Sequence, residues 1–400
     1  MRQSIESAHC GQSLPLTPKP VFRGEGATSC MHQTPRETDV FVAGGGPAGL
    51  AAAIAALQKG MRVVVADVCR PPIEKSCGEG LMPDSVAALR RLGVKISPAV
   101  SFPYRGVCFH GAGCSVEARL PNGCGVGVRR RSLHEALICR AEAAGATLLW
   151  GARVNGLSDQ GALVDGRLVR CRWMIGADGE DSRIRRWGGL DDATHYVRRF
   201  GFRKHFRVRP WTDCVEVYWG AVGQLYVTPV SPNEICVVLL SRDRHQRIDT
   251  ALAEFPELRE RLDGVAADAE RGAISASRRL GRVVRGRAAL VGDASGSVDA
   301  ITGEGLGLAF RQAAALADAL AIADLSAYEA EHRRLLRRPA LMARLLLSLD
   351  RFPMVRHCAF RAMAAKPAIF SELLAAHVGE RPGLVMGGIV PLGLRMLAAR

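Results

Sequence analysis

No uninterrupted apolar stretch in this 400-residue chain reaches the roughly 18 residues that a membrane-spanning helix needs. The longest candidate, Gly383 to Leu394, is short and is broken by Pro391 and several glycines. The sequence has 12 cysteines, yet no C-x-x-C pair and no cysteine–histidine grouping at zinc-ligand spacing. They read as reduced thiols, which fits a cytoplasmic protein, and no metal is expected. Aromatic residues make up only 6% of the chain, and none is interleaved with the arginine runs at 129–131, 183–186 and 333–338. A nucleic-acid interface combining charge with stacking is therefore not expected, despite the net charge of +15. The runs read as solvated faces that attract anionic cofactors or lipid headgroups.

What the chain does have is enough apolar material, 48% of its residues, to bury a large core across two domains. Residues 1–35 are polar and rich in Pro, Gly and Ser, with no apolar signal core. They read as a disordered leader or an over-extended start, with Met31 the alternative first residue.

Asp39 to Ala43 is short, apolar and β-rich, as a strand buried on both faces would be. Gly44-Gly45-Gly46-Pro47-Ala48-Gly49 follows, and then an Ala/Leu-rich segment, Leu50 to Leu57, that favours helix. Glycines at such a strand-to-helix turn have separate tasks. Gly44 makes the tight turn, Gly46 lets the backbone approach a pyrophosphate, and Gly49 lets helix and strand pack closely. The helix N-terminus then stabilises the phosphate charge. A second apolar strand, Arg62 to Ala66, ends in Asp67, placed to accept hydrogen bonds from an adenosine ribose and to repel a 2′-phosphate. The site therefore favours FAD or NAD over NADP.

Two further strand-to-glycine signatures follow, Trp173 to Arg185 with Gly176-Ala177-Asp178-Gly179, and Leu290 to Leu306 with Gly292-Asp293 and Gly303-Glu304-Gly305-Leu306. Asp293 is placed to hydrogen-bond ribityl hydroxyls. A glycine-rich helix start at Gly303 and Gly305 would present N–H groups to the pyrimidine side of a reduced flavin. With its three motifs in this order, the chain resembles the FAD-dependent monooxygenase and geranylgeranyl-reductase superfamily, whose members share the p-hydroxybenzoate-hydroxylase-like fold.

The wording from Gly292 to Leu306, and Lys75-Ser76-Cys77-Gly78-Glu79-Gly80-Leu81-Met82-Pro83, is closest to the reductase and halogenase-like branch. The resemblance implies that Asp178 helps hold the cofactor, that Cys77 borders the flavin ring, and that Arg130 of an Arg-x-x-Leu pattern reaches its phosphate or ribityl region. Cofactor contacts are thus expected from Gly44, Gly46, Ala48, Gly49, Asp67, Arg130, Asp178, Gly292, Asp293, Gly303, Gly305 and Leu306. NADH or NADPH would serve as a transient electron donor.

The fold class expected is α/β, a discontinuous Rossmann-like FAD-binding domain (36–105, 125–190, 276–325) with an inserted, mainly antiparallel β-sheet substrate domain (106–124, 191–275). A C-terminal helical region (326–400) completes it. Strand alternation puts Glu216 and Tyr218 on one face of 215–219 and Val217 and Trp219 on the other. Cys77, Glu216, Tyr218 and Tyr226 are the substrate-pocket candidates; no catalytic base can be named. The substrate is expected to be a small apolar or aromatic molecule. The basic amphipathic C-terminal helices cap the substrate domain, mediate dimerisation or rest on a membrane.

Prenyl reductases of this superfamily carry a Tyr-x-Trp-x-Phe-Pro element where this chain has Tyr226-Val227-Thr228-Pro229. The difference favours a monooxygenase acting on an aromatic or polyketide-like compound. An isoprenoid double-bond reductase is the enzymatic alternative, and a non-catalytic flavin-binding redox sensor is the alternative of another class.

Overall fold

A computed structural model describes residues 34–121 and 123–379. The leader up to residue 33, Met31 and the Gly383–Leu394 stretch lie outside the described residues. The central sheet orders its strands Val284–Arg285, Ala288–Leu290, Arg167–Gly176, Glu37–Ala43, Val63–Asp67 and Thr147–Trp150, with the hairpin Val154–Ser158/Gly161–Val164 added to Arg167–Gly176. Its inner pairings are parallel. Val40, Phe41 and Val42 are wholly buried, in one core with residues of the helix Pro47–Gln58 and of the hairpin strand Gly161–Val164, and this is why the strand reads as a continuous apolar run.

Register decides where the motifs meet. Ala43 pairs with both Gly176 and Ala66, and Gly176 pairs with Leu290. Four strands therefore end at the same level, and the residues at or just past those ends, Gly44, Asp67, Ala177-Asp178 and Gly292-Asp293, lie at the same carboxyl edge. In open α/β sheets that edge is where ligands sit. The helix Pro47–Gln58 follows the first turn and Gly305–Ala321 packs against it.

A second, seven-stranded sheet runs Arg271–Leu280, Ala193–Phe206, Glu234–Ser241, Gln224–Ser231, Cys214–Trp219, Gly106–Gly111, Cys114–Arg119. Its pairings are antiparallel apart from Cys214–Trp219 with Gly106–Gly111. A small antiparallel sheet, Gly80–Leu81, Gly125–Val128 and Ser101–Tyr104, completes the β structure. Three helices, Leu325–Arg351, Pro353–Ala365 and Ala368–Val378, close the described chain. Phe360, Met363, Phe370 and Leu374 from the last two pack in one apolar cluster with Val215, Val217 and Trp219 of the large sheet. The fold is the α/β architecture expected. Among the described residues no helix is long and apolar enough to cross a membrane.

The arginine runs depart from the expectation of solvated faces. Arg185 is 1% exposed and bonds Asp191, the Ala294 carbonyl and the Glu180 carbonyl, tying the second glycine motif to the third. Arg129 pairs with Asp268 and Glu234, and Arg338 with Asp84 and Glu304. A guanidinium presents several donors in a fixed fork, so it can be buried where carboxylates and carbonyls receive them.

Candidate functional site

One cavity of about 730 Å³ opens at the carboxyl edge of the central sheet and continues between the large sheet and the C-terminal helices. Its size falls in the usual range for ligand pockets. At the sheet end it is lined by Gly44, Gly46, Ala48, Asp67, Arg130, Asp178, Gly292, Asp293, Gly303, Gly305 and Leu306. Gly49 is one layer back, where an added Cβ would lie 1.9 Å from the Gly44 carbonyl oxygen. Gly46, Gly303 and Gly305 have nothing within 4 Å of such a Cβ. Their hydrogens border open space that side chains would fill.

The carboxylates are committed differently. Asp67 accepts from the N–H groups of Gly45 and Cys69, both at 2.7 Å, which fixes it beside the first turn. Asp178 accepts from the Arg183 N–H at 2.7 Å and the Ile184 N–H at 3.1 Å, and so caps the short helix that follows. Asp293 lies 2.6 Å from the Lys75 ammonium; burial pushes its pKa up, but the Lys75 and Arg130 charges override this and hold it below the ordinary value. Behind Asp293, the Gly292 N–H donates to Gln312 at 2.9 Å and the Ser295 hydroxyl donates to the Gly292 carbonyl at 2.8 Å. Arg130 holds Glu79 through its backbone N–H, and its buried Nε has no protein partner.

The far end of the cavity is apolar. Val107, Phe109, Val215, Val217 and Trp219 form one wall, and Met342, Leu345, Leu346, Leu349, Met363, Phe370, Leu373 and Leu374 the other. Cys77 and Tyr226 line the cavity, and Tyr226 donates to the Ile301 carbonyl at 2.8 Å. Glu216 and Tyr218 do not line it, which corrects the reading of this strand. Glu216 accepts from Trp211 at 2.8 Å and contacts His110, while Tyr218 stacks on His110 in a separate core. The alternation holds, but the helices cover the face carrying Val215, Val217 and Trp219.

A buried ionic chain beside the cavity was missed from sequence. Glu79, 2% exposed and with φ of 59°, contacts His205 Nε2 at 2.6 Å and accepts from Arg203 at 3.2 Å. His205 Nδ1 lies 2.8 Å from Asp268. Burial alone would lower the imidazole pKa, but Glu79 and Asp268 hold it above its ordinary value. Cys236 Sγ lies within 4.8 Å of ligand atoms of Glu79 and His205, the only such grouping among the described residues. Burial raises that thiol pKa well above its usual value, and Arg203 already takes Glu79, so the grouping is ion-paired rather than prepared for a cation. A glutamate flanked by glycines at 78 and 80 was the available signal.

Comparison with known proteins follows the same lines. A family profile described as FAD binding domain matches residues 37–335. Menaquinone reductase of Mycobacterium tuberculosis is 31% identical over 72% of this chain and 78% of its own length. The 6-methylpretetramide 4-monooxygenase of Streptomyces rimosus is 28% identical over 86% of this chain and 93% of its own. Among solved structures, a flavoprotein/dehydrogenase from Cytophaga hutchinsonii aligns with a TM-score of 0.78 at 17% identity, covering 91% of this chain and 99% of that one.

Proposed function

The chain belongs to the FAD binding domain family, an FAD-dependent oxidoreductase by that membership, and from this premise we propose that it is a monooxygenase acting on an apolar, ring-bearing small molecule. The observation that carries the reading is the continuity of one cavity from the glycine turns to an apolar chamber under the C-terminal helices. The residues present suit FAD, since glycine positions border open space and Arg130 keeps an unpartnered buried donor. Gly44, Gly46 and the N-terminus of Pro47–Gln58 would receive the pyrophosphate, with Gly49 allowing the helix to approach. Ala48 adds to the wall beside them. Asp67 would take the adenosine ribose, and Asp293 the ribityl hydroxyls. Gly303, Gly305 and Leu306 would offer backbone N–H groups to the pyrimidine side. Gly292 and Asp178 shape the turns between them.

Bound FAD supplies hydride acceptance from NADH or NADPH and activation of molecular oxygen. The chain's own task is to hold a ring against the cofactor and keep water out. Val217, Leu346 and Phe370 do both, since an apolar wall binds an apolar ring and offers water no partner; Trp219 adds ring surface, and its buried indole N–H has no protein partner. Tyr226 borders the passage between cradle and chamber, fixed through its hydroxyl.

A second reading is reduction of a carbon–carbon double bond in an isoprenoid compound; the likeness to a protein named as a reductase, menaquinone reductase, is in keeping with a reductive rather than an oxygenating role. NAD(P)H oxidation with a hydroxyanthraquinone or a menaquinone, with and without oxygen, separates the two. Oxygen-dependent turnover giving a product heavier by one oxygen atom is expected. Anaerobic turnover to a saturated product rejects the monooxygenase. The same helices expose Phe352, Met354 and Val355 beside Arg351, a surface suited to anionic lipid headgroups. Flotation with phosphatidylserine vesicles, lost in Met354→Asp, is the expected result; flotation unchanged by that substitution rejects it.

A further inference from the structure

We propose that His377, which faces Glu304, is the base that removes a hydroxyl proton from the substrate ring; this rests on the chamber being the substrate site. Among the side chains that the three C-terminal helices place on the cavity wall, the others are Met, Leu and Phe, and His377 is the titratable one. It is 7% exposed, in Ala368–Val378. Its Nδ1 faces Glu304 Oε2 at 3.7 Å, and each of these two buried atoms lacks any hydrogen-bond partner. The Glu304 carboxylate thus lies on the Nδ1 side of the ring, just beyond hydrogen-bond distance, and Nε2 has no protein partner among the described residues.

Glu304 is itself anchored. Its Oε1 accepts from Arg338 at 2.9 Å, and Arg311 lies 3.8 Å away. Glu304, at the start of Gly305–Ala321, is the charged group that faces His377; it is shared with Arg338 of Leu325–Arg351 and Arg311 of Gly305–Ala321, and both arginines also pair with Asp84. The other elements packed on its helix, Pro353–Ala365 and Cys114–Arg119, share with it an apolar cluster of Phe360, Met363, Val116 and Ala118. The surrounding apolar groups keep water from competing for the proton.

The step balances as a proton transfer. The substrate O–H bond breaks, an N–H bond forms at Nε2, and the electron pair stays on the ring oxygen. Glu304 offsets the imidazolium charge. The ring gains electron density, which aids transfer of an electrophilic oxygen to carbon. This assigns the chamber a ligand chemistry, an apolar ring bearing at least one acidic hydroxyl.

The test uses flavin-loaded enzyme with alizarin, a hydroxyanthraquinone whose anion absorbs to the red of FAD, and anthraquinone, which lacks the hydroxyls. In wild type the bound dye is expected to ionise at lower pH than free dye. In His377→Gln the midpoint should rise by about one pH unit, a tenfold change in proton affinity, with flavin content and anthraquinone binding unchanged. Imidazole added to His377→Ala should restore the anion band. If both dyes bind and the midpoint is the same in wild type and His377→Gln, His377 is not the base and the chamber reading survives. If neither dye enters, the chamber reading falls and the proposal with it. Should the variants lose flavin, wild type is decisive. Dye that ionises on binding without releasing a proton to the medium supports His377, and stoichiometric release overturns it.

Discussion

Gly46 and Gly49 are three residues apart in one turn, and the structure assigns them opposite sensitivities. Gly46 has φ of −71° and ψ of 177°, a backbone any residue adopts, and no atom within 4 Å of an added Cβ. Gly46→Val should leave the stability of the apoprotein within about 0.5 kcal/mol of wild type. Its cost falls on the cofactor. A branched side chain at the helix start denies the pyrophosphate its approach, forfeiting up to about 2 kcal/mol of helix-terminus attraction and one charge-assisted hydrogen bond of about 1.5–3 kcal/mol. Losing about 3 kcal/mol or more corresponds to FAD affinity falling at least about a hundredfold.

Gly49→Ala does the reverse. Its Cβ would stand 1.9 Å from the Gly44 carbonyl oxygen, a backbone atom that cannot swing aside, so destabilisation of at least about 1–3 kcal/mol is expected in the apoprotein. Urea unfolding of both apoproteins and FAD titration followed by flavin fluorescence give the two quantities separately. Wild-type flavin affinity in Gly46→Val would refute the reasoning, since that side chain has nowhere to go but the cofactor space.

His332 is buried against Ser295, and burial depresses its pKa to about 4 from an ordinary 6.5. A histidine with a lowered folded value stabilises less as pH falls from about 6.5 towards 4, and the shift is worth about 3 kcal/mol. Wild type should lose about that much more than His332→Gln between pH 7 and 4 in urea unfolding; equal losses would remove the assignment. His205 has the opposite sign. Its raised value gives a stabilisation present below about pH 6.5 and lost as pH climbs through the folded value, so His205→Gln should flatten the alkaline decline. An unaltered pH slope would reject the ionic chain as its source. Leu346→Trp should weaken anthraquinone binding about tenfold or more through overpacking, with FAD content unchanged, while Glu216→Gln should change neither. Equal effects of the two would contradict the orientation of the large sheet.

The cofactor end was legible because its requirements are local. A tight turn, a close backbone approach and an acid after a strand each demand particular residues at fixed spacing, as at Gly44, Gly46 and Asp67. The chamber was not legible, because the face of Cys214–Trp219 that meets a ligand depends on where the C-terminal helices settle. Val217 and Trp219 differ from Glu216 and Tyr218 only by one step of the pleat. Glu79, His205 and Asp268 are joined across three sequence-distant segments, and Glu304 and His377 meet only when two helices dock. Arg185 shows the converse difficulty, since a charge run says nothing of which arginine turns inward.

The cover of the chamber is also the last described part of the chain to be synthesised. Every strand of the central sheet and both helices flanking its glycine turns precede Leu325, whereas the residues roofing the apolar end run from Met342 to His377. Every glycine and acid of the nucleotide groove is therefore synthesised before the roof of its neighbour. The residues that would hold a flavin are thus all present in the growing chain before those that roof the apolar end.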